Sequence, residues 1–246
     1  MGPIIGILIR SGSNENNTPM EYCFESTRRA LIKSGGVPIF LTPPQDIDYF
    51  TTKNSDFPML TGVEKEIICY QLEQLDGLFI PGGVKMTQYD YFVLAECLKR
   101  NIPILGVCLG MQIIANYKTD NFNLEPVTNI DIHYQEDYHL NVHNIKIKRD
   151  SLLYNIIGEE EITVNSHHKQ CITYTKSCNI TAKSTDDVIE AVELKDYDFC
   201  LGVQWHPEIT IETDPNSKKI FASFLEKAKV HQLNRQNQQK NVLNIS

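Results

Sequence analysis

No two cysteines in this 246-residue chain are spaced C-x-x-C. The seven that occur, Cys23, Cys69, Cys97, Cys108, Cys171, Cys178 and Cys200, stand singly and are odd in number, which argues against a zinc site or a thioredoxin-type redox motif. Basic residues are in deficit, with 23 Lys and Arg against 31 Asp and Glu and a formal net charge of -8. Such a chain repels phosphate backbones, so nucleic acid is disfavoured as a partner. It also lacks the basic stripe that an anionic membrane surface needs. No stretch is long and apolar enough to span a bilayer. The opening PIIGILIR is short, with no basic leader before it and no small-residue cleavage site after it, so it reads as a buried strand and not a signal peptide. Gly6 stands where a myristoylation site wants Ser or Thr. Internal repeats and an interdomain linker are absent too. These absences predict a cytoplasmic protein with free thiols, no cofactor and no metal. One domain is expected over residues 1–230, with an Asn- and Gln-rich tail, 231–246, of little fixed structure.

What is present is an alternation of strand and helix signals. Ile4 to Arg10 reads as a strand covered on both faces, and Pro19 to Lys33 has helical spacing with Thr18 as N-cap. Gly35-Gly36 stops that helix before a strand over Val37 to Leu41. Helices follow over Val63 to Leu75, Tyr89 to Arg100 and Leu109 to Tyr117, with strands over Asp76 to Ile80 and Pro103 to Val107. This pattern predicts an α/β fold with βαβ units and a mostly parallel, doubly wound sheet. From Asn129 to Leu194, short Val-, Ile- and Thr-containing segments between polar turns predict an antiparallel insertion in the second half. Phe199 to Gln204 returns to the sheet, and Pro215 to Lys229 is the last helix.

The sharpest chemical signal is PILGVCLGMQ, where Cys108 falls at a strand-to-helix junction between Gly106 and Gly110. G-x-C-x-G is the thiol counterpart of the nucleophile elbow, a turn so tight that side chains two positions away would collide. The following helix points unpaired N–H groups at the sulfur, which favours a reactive thiolate, and the Leu109 N–H is free for an oxyanion. A thiol nucleophile needs a base, and the base needs an orienting partner. GVQWHPE supplies both: in an extended segment His206 and Glu208 point the same way, and Pro207 keeps His206 out of helical geometry. Gln112, one helical turn after Cys108, is placed to hold the substrate. His167 and His168 are adjacent, so in a strand they face opposite sides and chelate poorly together.

GVCLGMQ, the Pro81-Gly82-Gly83 turn and QWHPE together resemble, in order and spacing, the class I glutamine amidotransferases, from about Ile4 to Leu225. That resemblance implies a flavodoxin-like doubly wound sheet and a Cys108–His206–Glu208 triad. It also implies a second oxyanion N–H from Gly83, with Gly82 beside it against the substrate. VNSHHKQ is similar to a stretch of the peptidase C26 group, which includes γ-glutamyl-γ-aminobutyrate and folate γ-glutamyl hydrolases; Asn165, Ser166, His168 and Gln170 match. This implies that Asn165, Ser166 and His168 capture the α-amino and α-carboxylate groups of the substrate. The chain departs from the pattern at Lys169, where a histidine is usual, at Leu109, where the aminobutyrate hydrolases carry Arg, and over Val84 to Gln88. The reaction class carries over better than the leaving amine.

The expected reaction is cysteine-dependent cleavage of a γ-glutamyl amide through a γ-glutamyl thioester, on a small-molecule substrate, by a chain that can form a homodimer. Two alternatives stand beside it: a glutaminase subunit feeding ammonia to a synthase partner, and a catalytically silent binding protein of the same fold.

Overall fold

The strands Gly77–Ile80 and Ile104–Val107 are buried at every position, because helices cover both faces of the sheet they belong to. Their residues alternate between two cores, as period-two geometry requires. Phe79, Leu105 and Val107 face one core, with Leu31, Phe221 and Phe224. Leu78, Ile80 and Ile104 face the other, with Ile68, Leu94 and Ile114.

The computed structural model describes residues 1–53, 56–119 and 123–243. In chain order its first half comprises β1 (Ile4–Leu8), β2 (Arg10–Ser13), β3 (Pro19–Tyr22), α1 (Glu25–Lys33), β4 (Val37–Leu41), α2 (Gly62–Leu72), β5 (Gly77–Ile80), α3 (Gln88–Lys99), β6 (Ile104–Val107) and α4 (Leu109–Ala115). The second half adds β7 (Glu125–Pro126), α5 (Ile130–His133), β8 (His143–Ile147), α6 (Leu152–Ile157), β9 (Glu161–Val164), β10 (Gln170–Cys171), β11 (Cys178–Ser184), β12 (Ile189–Leu194), β13 (Cys200–Val203), α7 (Pro207–Thr210) and α8 (Pro215–Leu243). The main sheet has nine strands in the order β4-β1-β5-β6-β13-β12-β11-β8-β9. β4, β1, β5, β6 and β13 are mutually parallel, and β12, β11, β8 and β9 continue the sheet antiparallel. The antiparallel strands therefore extend the sheet and do not form a layer apart from it.

Two expectations are corrected. Pro19 to Lys33 is not one helix. Its first residues form β3, paired antiparallel with β2, and Asn14 closes the turn by accepting from the backbone N–H groups of Asn16 and Thr18. The helix starts only at Glu25. The segment from His231 is not loose either, because α8 runs on to Leu243. Its polar residues have a partner: Gln232 and Arg235 both donate to the buried Asp76 carboxylate, at 3.1 Å and 2.9 Å. Of the expected tail, 244–246 lie outside the described residues. No described helix is long and apolar enough to cross a membrane.

Candidate active site

Strand β6 ends at Val107, and the next residue, Cys108, turns the chain with φ 52° and ψ -107° before α4 begins at Leu109. A positive φ is costly for a residue with a Cβ, on the order of 1–3 kcal/mol, and persists where surrounding structure enforces it. Here the Cys108 N–H donates to the Val203 carbonyl at 2.8 Å, and the Cys108 carbonyl accepts from Gln112 N at 3.1 Å. The two glycines are required by contact. A Cβ on Gly110 would lie 1.9 Å from the Ile80 carbonyl oxygen, and one on Gly106 would lie 2.7 Å from the Gly110 carbonyl group. Thus the elbow expected from G-x-C-x-G forms, and Cys108 is presented at the carboxyl end of the strand, where open α/β sheets place ligands.

The neighbouring strand β13 runs parallel to β6 with Val203 opposite Val107. Three residues on, His206 has φ -113° and ψ 75°, with Pro207 as the first residue of α7. Glu208 lies in the first turn of this short helix. The expected proximity of His206 and Glu208 therefore arises from a helix start and not from extended backbone. His206 Nδ1 meets Glu208 Oε1 at 2.7 Å, and an ionised carboxylate accepts there. That leaves Nε2 for the cavity, where it makes no hydrogen bond among the described residues. A single point above Gly82, where a Cβ would sit, lies 3.1 Å from His206 Cε1 and 3.9 Å from Cys108 Sγ. Burial works against a charged His206. The Glu208 carboxylate and Cys108 outweigh it and hold the imidazole well above its ordinary pKa.

Two residues that sequence reasoning did not bring forward in these roles fix the site. Asn165, fully buried, grips the His206 main chain from both sides: its Oδ1 accepts from His206 N at 2.8 Å and its Nδ2 donates to His206 O at 3.0 Å. The same Nδ2 donates to Tyr138 O at 2.8 Å. Arg10, also buried, donates from Nη2 to Pro81 O at 2.9 Å and pairs through Nη1 with Asp90 at 2.6 Å. It thereby holds the turn that carries Gly82 and Gly83. The sequence signal for Arg10 was a cation ending an apolar strand; its partner, 80 positions away, gave none.

Cys108, His206, Gly82, Gly83, Leu109, Gln112 and His168 all line one cavity of ≈ 680 Å³. Tyr22, at the end of the β2–β3 hairpin, and Phe24, just before α1, share its wall with Tyr134, His167 and Lys169. The side chains of Asn165 and Ser166 are turned inward instead, which leaves their backbone atoms for the expected capture of substrate; Ser166 Oγ donates to His133 O at 2.9 Å. The Gln112 amide N–H groups are occupied too, by Gln170 O and Gln204 Oε1, each at 3.1 Å. As expected, His167 and His168 diverge: His167 stacks on Tyr134 with ring centroids 4.4 Å apart, and His168 Nε2 approaches the buried Glu190. A thiol on a strained turn, an imidazole with one nitrogen anchored, and loop N–H groups around a shared cavity are the parts an acyl transfer uses.

Comparison with known proteins agrees with this architecture. The sequence profile of the Peptidase C26 family matches residues 3–208. The protein PB2B2.05 of Schizosaccharomyces pombe is 32% identical over 238 residues, covering 93% of this chain and 88% of its own length. The γ-glutamyl-γ-aminobutyrate hydrolase PuuD of Escherichia coli is 23% identical over 258 residues, covering 93% and 94%. Among solved structures, the glutaminase domain of Trypanosoma brucei CTPS with bound acivicin superposes with a TM-score of 0.61 at 18% identity, covering 92% of this chain and 94% of that one.

Proposed function

The chain belongs to the Peptidase C26 family, and from that premise we propose that it hydrolyses a γ-glutamyl amide bond with Cys108 as nucleophile. The observation that carries this reading is the presentation of Cys108, on its strained elbow, to the same cavity as a His206 whose far nitrogen is bound to Glu208.

In the proposed sequence the Cys108 thiolate attacks the γ-carbonyl carbon and forms a C–S bond. Negative charge moves to the carbonyl oxygen, held by the N–H groups of Gly83 and Leu109. Collapse expels the amine, which takes its proton from the His206 imidazolium, and leaves a γ-glutamyl thioester. His206 then draws a proton from water; the resulting attack breaks the C–S bond and releases glutamate, regenerating the thiolate–imidazolium pair. Glu208 keeps Nδ1 protonated and the ring aligned throughout.

A cavity of ≈ 680 Å³ falls in the range that accommodates drug-sized ligands, more room than a glutamyl group with ammonia as leaving group needs. This favours a γ-glutamyl amine over glutamine alone. Lys169, whose Nζ lies 4.2 Å above the Tyr134 ring centroid on the cavity wall, offers a cation to a carboxylate on that amine.

The test is glutamate release by the isolated chain from a panel of γ-glutamyl amines and glutamine. Turnover of γ-glutamyl amines, lost in Cys108→Ser, is the expected result. Full activity in Cys108→Ser would remove the nucleophile assignment. Activity on glutamine alone would transfer the chain to the glutaminase reading and its synthase partner.

A further inference from the structure

Behind the cavity wall formed by His168 lies a group of side chains that the proposed reaction does not use. Three imidazole nitrogens converge on one carboxylate oxygen. His133 Nδ1, His168 Nε2 and His143 Nε2 lie 3.4 Å, 3.7 Å and 3.8 Å from Glu190 Oε1. All four side chains are buried, with 5% exposure or less. They come from four separate places in the chain: the end of α5, the start of β8, the segment before β10, and β12.

We propose that His133, His143 and Glu190, with His168 as fourth donor, form a binding site for a divalent transition-metal ion of the zinc class.

Tautomers carry the first part of the argument. Each histidine faces an acceptor on its outer side. His133 Nε2 lies 3.2 Å from both Asp186 oxygens, His168 Nδ1 3.1 Å from Gln170 O, and His143 Nδ1 3.4 Å from Asn144 O. An outer acceptor takes the ring N–H, so the inner nitrogen presents a lone pair; this is how metal-binding imidazoles are oriented. Asp186 is itself anchored by Ser184 Oγ at 2.5 Å. With the three imidazoles neutral, the inner side then contains only acceptors. His133 Nδ1, His143 Nε2, His168 Nε2 and both oxygens of Glu190 have no hydrogen-bond partner among the described residues. Buried acceptors facing one another are costly unless a cation lies between them.

Distance carries the second part. A proton shared between imidazole and carboxylate gives a contact of about 2.7–2.9 Å, which none of the three pairs reaches. Ligands bonded at ~2.0–2.1 Å around a tetrahedral ion stand about 3.3 Å from one another, close to the spacings seen. The ligand atoms of His133, His143 and Glu190 all lie within 4.8 Å of one another, and because two atoms bonded at ~2.1 Å to one ion stand at most about 4.2 Å apart, these side chains close inward when the ion binds, with His168 Nε2 joining from 3.7 Å beyond Glu190 Oε1. Three nitrogens and one oxygen suit zinc, cobalt or nickel better than calcium or magnesium. Four protein ligands leave no open position, so the ion is structural. It would fasten the 164–170 segment, and with it the Asn165 grip on His206. The sequence expectation of no metal weighed the adjacent pair His167-His168 and the four-residue spacing of His139 and His143 in strand-like surroundings; the structure separates the first pair and joins His168 and His143 to distant partners.

The experiment uses the full chain as Cys108→Ser, which removes the thiol of the cavity. After dialysis against a chelator, the protein is titrated with Co²⁺ and then Zn²⁺. The expected result is one ion per chain, intense visible bands of four-coordinate cobalt that Zn²⁺ abolishes, and a higher melting temperature with Zn²⁺. Asp186→Asn, which keeps every ligand but replaces the outer carboxylate of His133 by a neutral amide, is expected to bind about 10–100-fold more weakly. His143→Ala is expected to lose the cobalt bands. Absence of stoichiometric uptake by the parent chain overturns the proposal and leaves a cluster held by protons alone. Uptake unchanged in both His143→Ala and Asp186→Asn overturns it equally, by placing the ion elsewhere.

Discussion

Replacing Asn165 by alanine tests whether the site depends on how the His206 main chain is held. The substitution removes three hydrogen bonds of 2.8–3.0 Å from a residue with no exposure. The His206 carbonyl keeps a second donor in Ile209 N at 3.1 Å, but the His206 N–H and the Tyr138 carbonyl lose the partner that Asn165 gave them. An unsatisfied buried backbone group costs about 1–3 kcal/mol, and because Tyr138 is only half-buried its carbonyl can turn to solvent, so a loss of about 1–3 kcal/mol is predicted in urea unfolding. Catalysis should suffer beyond that, because a displacement of about 1 Å at a reacting group costs on the order of 100-fold. Activity is measured well below the unfolding midpoint as kcat for glutamate release, beside Arg235→Met as a variant destabilised far from the cavity. A fall in kcat of about 100-fold in Asn165→Ala, absent from Arg235→Met, supports the clamp. Loss of stability with unchanged kcat would refute it, since His206 would then be positioned without Asn165.

Other outcomes follow from the same structure. Arg10→Met strands the buried Asp90 carboxylate and frees the Pro81 carbonyl; about 3–5 kcal/mol of stability should go, and kcat should fall by roughly 100–1,000-fold if this turn carries an oxyanion donor. A chain ending at Lys229 loses the Gln232 and Arg235 contacts to Asp76, so its unfolding free energy should drop by about 3–5 kcal/mol; an unchanged denaturation curve would show the end of α8 to be idle. The raised His206 pKa, maintained against burial by Glu208 and Cys108, contributes stability that is whole below its ordinary value of 6.5 and is lost as pH rises through the folded value. Glu208→Gln should therefore flatten the alkaline decline of stability, read by melting temperature against pH in a Cys108→Ser background. Lys169→Gln should raise KM several-fold for γ-glutamyl amines bearing a carboxylate on the leaving group and leave neutral ones unaffected.

Much of this molecule is legible along the sequence where the determinant is local. The elbow follows from two glycines around Cys108, and the His206–Glu208 pair from three consecutive residues. The parallel strands β4, β5 and β6 follow from apolar runs bounded by turns. The illegible parts depend on distant partners. Arg10 finds Asp90 and Pro81, and Asn165 finds His206 across 41 positions. The end of α8 is polar enough to read as unstructured, yet it is helical where Asp76 meets it 159 positions away. The hairpin over β2 and β3 was hidden for another reason. A helical spacing over Pro19 to Lys33 ran through a boundary at Tyr22, and the turn chemistry of Asn14 that closes the hairpin lies upstream of it.

The place of β13 has a consequence for biosynthesis. This strand, made after the other described strands of the sheet, is wedged between β6 and β12, and its Val203 carbonyl is what receives the Cys108 amide. A nascent chain that has emerged only as far as β12 already contains the whole G-x-C-x-G sequence but has no neighbour to lock its bend, and no imidazole to address the sulfur. The proposed chemistry thus waits for β13 and the segment after it, so a product clipped before them keeps the thiol without the imidazole that faces its cavity.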